Sequence, residues 1–160
     1  MSDTKPVEKA SIIVMSGDMD KVMGAFIIAT GAAAFDMQVS MFFTFWGLKA
    51  IQKGNLTGKG LMGRMLGLMN RGGIDRLGPS KFNFGGLGRW MFKMMMKKRN
   101  VTTLPELLQQ AQELGVKFTA CEMSMSVMEI KKEDLIDGVQ TGGVASFIAD
   151  ATDSKFTLFI

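Results

Sequence analysis

The chain has no histidine, no tyrosine and only one cysteine, Cys121, among its 160 residues. Without histidine there is no imidazole base, no catalytic triad and no His-ligated metal. A single cysteine excludes an internal disulfide, a CxxC redox pair and a thiolate zinc cluster. Such scarcity fits a cytoplasmic protein better than a secreted one. The acidic residues Asp36, Asp75 and Asp150 are far apart, and nothing resembles a carboxylate pair or an EF-hand loop, so no metal is expected. The apolar stretch 41–48 falls well short of the ~20 residues that span a bilayer. The first ten residues are polar, with Asp3, Lys5, Glu8 and Lys9, and do not read as a signal peptide. No dinucleotide fingerprint or phosphate-binding P-loop is present, and no cofactor is expected.

What is abundant is methionine, with 16 residues, alongside 12 phenylalanines and 19 glycines. Apolar content is 47%, normal for one domain with a real core, here taken as 1–160. Charge is unevenly spread. Residues 49–100 hold twelve Lys and Arg against one acid, Asp75. That block is +11 in a chain of net +4, which leaves −7 for the remainder.

The hydrophobic pattern alternates short apolar runs with helical spacing. A buried strand is expected at 11–15, then a helix from Asp18 or Asp20 to about Ala33, then a second strand at 38–44. This strand–helix–strand unit implies a right-handed crossover and parallel pairing. Residues 49–100 interrupt the rhythm, and they read as two short Met-rich helices, 61–69 and 90–98, joined by glycine-rich turns. Thr103 and Glu106 form a capping box, with Pro105 in the first turn, for a helix carrying Leu104, Leu107, Leu108 and Ala111. A strand follows at 116–120, then a helix opened by Ser124 or Ser126, with Glu129 three positions after Ser126. A short helix at 132–137, a fifth strand at 138–140, a helix from Gly142-Gly143 and a last strand at 155–160 complete the series. The sum is an α/β chain with flanking helices.

Chemistry centres on Cys121, where a strand ends and a helix is about to start. Free N–H groups at a helix start favour a thiolate. A lone thiol without histidine can transfer sulfur, form a mixed disulfide with a partner or sense oxidation. The candidate cradle for its charge is Met123, Ser124, Met125 and Ser126. Ser16, Gly17, Asp18 and Trp46 at the ends of the first two strands, with Gly142 and Gly143, are candidate pocket-lining residues. The basic block suits an acidic protein partner or a membrane surface better than nucleic acid, because its charges are interleaved with Met, Leu and Phe. Its candidate docking residues are Lys59, Arg64, Arg71, Arg89, Lys93, Lys97 and Lys98. A small-anion or nucleotide-binding module, or a peripheral membrane or complex scaffold, is the alternative to thiol chemistry.

Several stretches in order carry a resemblance. They are Ile12-Ile13-Val14-Met15-Ser16-Gly17-Asp18-Met19-Asp20-Lys21, Phe42-Phe43-Thr44-Phe45-Trp46-Gly47-Leu48 and Phe84-Gly85-Gly86-Leu87-Gly88 with the Met-rich helix after it. Leu104-Pro105-Glu106-Leu107, Ala120-Cys121-Glu122-Met123-Ser124-Met125, Ile130-Lys131-Lys132-Glu133-Asp134-Leu135-Ile136 and Gly142-Gly143-Val144-Ala145 complete the set. In these the chain resembles the DsrE/DsrF/DsrH-like sulfur-relay family, in a branch with a Met-rich insertion. The resemblance implies an open, mainly parallel sheet of about five strands, related in shape to flavodoxin-like folds. It implies that Cys121 is the sulfur-binding cysteine, exposed for relay as a sulfur carrier or sulfurtransferase. It also implies a homo-oligomer, trimer or hexamer, working with a TusA-like or rhodanese-like partner.

Overall fold

The computed structural model describes residues 7–160. Most of the polar first ten residues lie outside them. Five parallel strands form one sheet in the order β4-β3-β2-β1-β5. They are β1 (Lys9–Val14), β2 (Gln38–Phe43), β3 (Lys117–Cys121), β4 (Gln140–Gly142) and β5 (Phe156–Phe159). The helices are α1 (Met19–Ala34), α2 (Leu61–Met69), α3 (Leu87–Lys98), α4 (Leu104–Glu113), α5 (Glu122–Val127) and α6 (Val144–Thr152). The architecture is the open parallel α/β sheet expected.

Alternation along the strands divides the core in two. Ala10, Ile12 and Val14 of β1, Val39, Met41 and Phe43 of β2, and Phe118 and Ala120 of β3 share one face with the buried sides of α1 and α4. Phe26, Phe43 and Phe118 meet there with ring centroids 5.7–6.2 Å apart. The other face is thinner. Phe42, Cys121 and Phe147 of α6 form a separate cluster with Ile13 and Ala151. Right-handed crossovers account for this division. The steps β1 to β4 all run one way across the sheet, while the return from β4 to β5 runs the other way and puts α6 on the opposite face.

Several boundaries differ from the sequence expectation. β4 lies at Gln140–Gly142 rather than 138–140, paired only with β3. The segment expected as a helix at 132–137 is one 3-10 turn, Lys132–Asp134, because the buried Asp134 carboxylate turns back to accept the Lys131 N–H at 2.8 Å. Phe45–Ile51 is a 3-10 helix packed beneath the sheet's C-terminal edge, with Gly47, Leu48, Ala50 and Ile51 buried. Gly47 must be glycine, since a Cβ would collide with the Val14 carbonyl. Finally, α5 starts directly after Cys121, not at Ser124 or Ser126.

Helix α2 forms where expected and α3 starts three residues before the expected 90–98, at Leu87, but the two bury almost nothing apolar. In α2 only Gly63 and Gly67 are buried, and in α3 only Gly88. Met62, Met65 and Met69, aligned by their spacing, face outward, and of that stripe only Leu66 packs partly on the core. Acidic groups of the core hold this insertion by its main chain. Asp20 accepts the Ser80 N–H and hydroxyl, both at 2.7 Å. Glu129 accepts the Lys59 and Gly60 N–H groups at the start of α2. Asp134 accepts the Asn55 amide, and its carbonyl accepts the Lys53 N–H at 2.8 Å.

Candidate functional site

Cys121 is the last residue of β3 and the N-cap residue of α5. Because the strand alternates, its side chain lies on the α6 face with Phe42 and Phe147. The parallel register sets Cys121 beside Gly142 of β4 on one side. On the other side Ala120 pairs with Phe43, so the next residue, Thr44, stands beside Cys121. Ser124, one turn into α5, is fully buried, and its hydroxyl is 2.8 Å from the Thr44 hydroxyl.

These neighbours tune the thiol. Burial, the largest influence, pushes its pKa up. The Ser124 N–H, the Ser124 and Thr44 hydroxyls and the Met123 N–H push it down, and together they leave it below the ordinary cysteine range. No regular capping hydrogen bond to the sulfur forms, so the donors surround Sγ without clamping it. A thiol of this kind is a better nucleophile at neutral pH and a better leaving group than an unperturbed one.

The expected exposure of the thiol is not seen in the single chain, where Cys121 is 5% exposed. The strand alternation that brings it to the donors also turns it into the buried cluster with Phe42 and Phe147. The cradle is shifted as well. With Cys121 as the N-cap residue, the free N–H groups belong to the first turn, and Met123 and Ser124 supply them. Met125 instead packs into the main core, and Ser126 is exposed one turn further on. Glu129 does not cap α5. Its backbone turns left-handed (φ 52°) just past the helix, and its carboxylate caps α2. The Lys59 N–H, then the Gly60 N–H, hold that carboxyl below its usual range.

The residues expected to line one pocket fall into two places. Gly142 and Gly143 run beside Cys121 at the β4 edge, and a Cβ on Gly142 would crowd Ser146 Oγ. Ser16, Gly17, Asp18 and Trp46 line a separate cavity of about 1040 Å³ on the same C-terminal edge of the sheet, beside β1 and β5. Of the docking candidates, Arg71 Nε donates to the Gly54 carbonyl at 2.7 Å and Arg89 donates to the Arg76 carbonyl at 2.7 Å. Lys93 is held by Asp75. The side chains of Lys59, Arg64, Lys97 and Lys98 are exposed. Thr44 was not singled out in the sequence. Its signal is the register, since a hydroxyl one residue past β2 must oppose the end of β3 once those strands pair.

Among the described residues no three Cys, Asp or Glu side chains converge as a metal site, and no helix is long and apolar enough to cross a membrane. The DsrE/DsrF/DrsH-like family model matches residues 6–159. The chain is 45% identical over 159 residues to the uncharacterized protein YrkE of Bacillus subtilis, covering 98% of this chain and 99% of that one. It is 33% identical over 160 residues to the sulfur carrier protein DsrE2 of Allochromatium vinosum, covering 96% and 98%. Among solved structures, the ychN protein from E. coli superposes with a TM-score of 0.57 at 12% identity, covering 96% of this chain and all 100% of that one. The protein of unknown function MTH1491 from Methanobacterium thermoautotrophicum gives 0.54 at 11%, covering 96% and 99%. At such identities the two structures speak to the fold alone.

Proposed function

The chain belongs to the DsrE/DsrF/DrsH-like family, and from that premise we propose that it relays sulfane sulfur as a persulfide on Cys121. The observation that carries this reading is the thiol at the β3–α5 junction, lowered by the Ser124 and Met123 N–H groups and the Ser124 and Thr44 hydroxyls. The relative named as a sulfur carrier supports it from a second direction.

The exchange is balanced at each step. The Cys121 thiolate attacks the outer sulfur of a donor persulfide. A new S–S bond forms at Cys121, the donor's S–S bond breaks, and the donor leaves as a thiolate. The outer sulfur on Cys121 then carries the negative charge, within reach of the same donors. A partner thiolate attacks that sulfur, and Cys121 departs as a thiolate. No net oxidation occurs, and no base beyond solvent is needed once both thiols are ionised. Since Cys121 is buried beside Phe42 and Phe147, loading requires the thiol to become accessible.

In this reading the partner is a TusA-like or rhodanese-like carrier with an acidic face, docking on Lys59, Arg64, Lys97 and Lys98 beside the exposed methionines. The Met-rich insertion then marks a branch of the family, and the working form is a cytoplasmic homo-oligomer.

The test is intact mass after incubation with glutathione persulfide. We expect a gain of about 32 mass units or multiples of it, reversed by dithiothreitol and absent in Cys121→Ser. If the thiol titrates as free in denaturant yet no adduct appears, or if Cys121→Ser loads equally, the relay reading is wrong.

A further inference from the structure

Helix α3 meets the rest of the chain along a narrow seam. Gly88 lies under the Phe82 main chain, where a Cβ would collide with the Phe82 carbonyl. Arg89 and Lys93 reach back to the Arg76 and Asp75 carbonyls at 2.7 and 2.9 Å. Around the remainder of the helix Leu87, Trp90, Met91, Met94 and Met95 recur three and four residues apart, and all are exposed. Such spacing makes one continuous apolar stripe. A soluble domain normally turns that stripe inward, and one left open to water marks an interaction surface.

The turn leading into α3 repeats the pattern. Phe82 and Phe84 both hold left-handed backbone, with φ 59° and 40°, which bulky side chains rarely adopt. Their rings are 6.0 Å apart, and the residues are 70% and 75% exposed. Backbone strain here holds two phenyl rings in water rather than in a core.

Charge identifies the occupant. Residues 76–105 carry Arg76, Lys81, Arg89, Lys93, Lys97, Lys98 and Arg99 and no acidic residue. Of these only Lys93 has an ion-pair partner among the described residues, Asp75. A second copy laid on this face would set like charges against each other. Protein interfaces are depleted in lysine, whereas helices that lie in a lipid headgroup layer carry Lys and Arg on one face with Trp, Phe and Leu on the other. A nucleic acid would satisfy the cations and leave the stripe in water. The helix is too short and too charged to cross a bilayer, which leaves lying along it.

We propose that α3 and the Phe82–Phe84 turn bind the surface of an anionic lipid bilayer, with the stripe toward the acyl chains and the cations among the phosphates. Lys97 and Lys98 then meet lipid, and Lys59 and Arg64 remain for a carrier. The proposal goes beyond the relay reading and does not rest on it.

The test uses Trp46→Phe protein, which keeps Trp90 as the sole tryptophan, titrated with phosphatidylcholine vesicles with and without phosphatidylglycerol. We expect partitioning at least about tenfold stronger with the anionic lipid, weakened by salt. Trp90 emission should move to shorter wavelength and be quenched by brominated acyl chains. Met94→Glu should weaken partitioning by about tenfold while Met94→Leu retains it, with far-UV circular dichroism confirming that each variant folds. Cys121→Ser should bind vesicles unchanged, so this proposal and the relay reading fail separately. Equal partitioning to neutral and anionic vesicles, bound protein with unshifted Trp90 emission, or an indifferent Met94→Glu would each overturn the proposal. So would the absence of vesicle binding together with self-association that Met94→Glu abolishes, which would assign the face to a second copy.

Discussion

Helices α3 and α4 are consecutive, similar in length and both amphipathic, yet they are held by different physics. Helix α4 buries Leu104, Leu107, Leu108 and Ala111 against the sheet. Helix α3 buries only Gly88 and leaves Trp90, Met91, Met94 and Met95 exposed. The core is thus stabilised by apolar burial. The insertion is stabilised by close glycine contacts and by hydrogen bonds from its main chain to Asp20, Glu129 and Asp134. Those carboxylates grip N–H groups and the Asn55 amide, while Arg71, Arg89 and Lys93 bond within the insertion and Lys53 pairs with Asp137 of the core. The region can therefore be strongly basic, sit beside an acidic core, and still leave Lys59, Arg64, Lys97 and Lys98 exposed.

The sharpest break of that contrast is Phe43→Ala. It empties the three-ring contact with Phe26 and Phe118 and should cost about 3–5 kcal/mol in urea unfolding. Leu107→Ala should follow at about 2–5 kcal/mol, whereas Met94→Ala on α3 should move stability by less than about 0.5 kcal/mol. If Met94→Ala were as damaging as Leu107→Ala, α3 would be packed in a way the single chain does not reveal.

A gentler test uses Gly63. A Cβ there collides with the Glu129 carboxylate, so Gly63→Ala should displace the cap on α2. Faster proteolysis of the loop at 53–60 is expected, with the urea midpoint changed far less than by Phe43→Ala. Gly143→Ala, where the added Cβ meets nothing, is the control.

Acid should separate the two regions in the same order. For Asp20, burial raises the pKa but the Ser80 hydrogen bonds more than offset it, and Glu129 is lowered by the Lys59 and Gly60 N–H groups. Both folded pKa values are depressed. Their contribution is therefore present above the ordinary carboxylate range, about pH 4–4.5, and is lost as pH falls through it toward the folded values. Trp90 fluorescence should change on acidification before far-UV circular dichroism does. Coincident transitions would mean that the insertion and core form one cooperative unit.

The smallest expected effect concerns the thiol. Ser124→Ala removes a hydroxyl and should move the midpoint of iodoacetamide alkylation of Cys121 to higher pH, with Thr44→Val acting in the same direction. An unchanged midpoint in both would assign the lowered pKa to main-chain N–H groups alone.

Much of the core could be read from the chain. The Ile and Val runs, the Thr103–Glu106 box and the Leu spacing of α4 are local signals that tertiary structure left intact. The start of α5 was not legible, because serine is a preferred N-cap residue and cysteine is not. Ser124 and Ser126 outbid Cys121 on local grounds, although Ser124 is in fact one of the thiol's donors. β4 has three residues and one neighbour, so its position depends on β3 rather than on its own alternation. The outward turn of the Met stripe was also hidden. Periodicity shows that a helix has two faces, but here glycine decides which one is inside. Burial of Cys121 follows from strand parity combined with α6, and α6 is placed by the direction of the last crossover.

That last crossover also has a consequence for synthesis. Strand β1 lies inside the sheet, yet its second neighbour is β5, and the contact between Lys9 and Asp153 joins positions 144 residues apart. At roughly 5–20 residues per second, the ribosome leaves one edge of β1 without a partner for on the order of 10 s after it is made. An unpaired apolar edge invites association with other nascent chains. The hydroxyls of Ser11 and Ser40 stand 3.0 Å apart on that sheet's thinner face, and Ser154 completes the set at 2.8 Å from Ser11 only as β5 arrives.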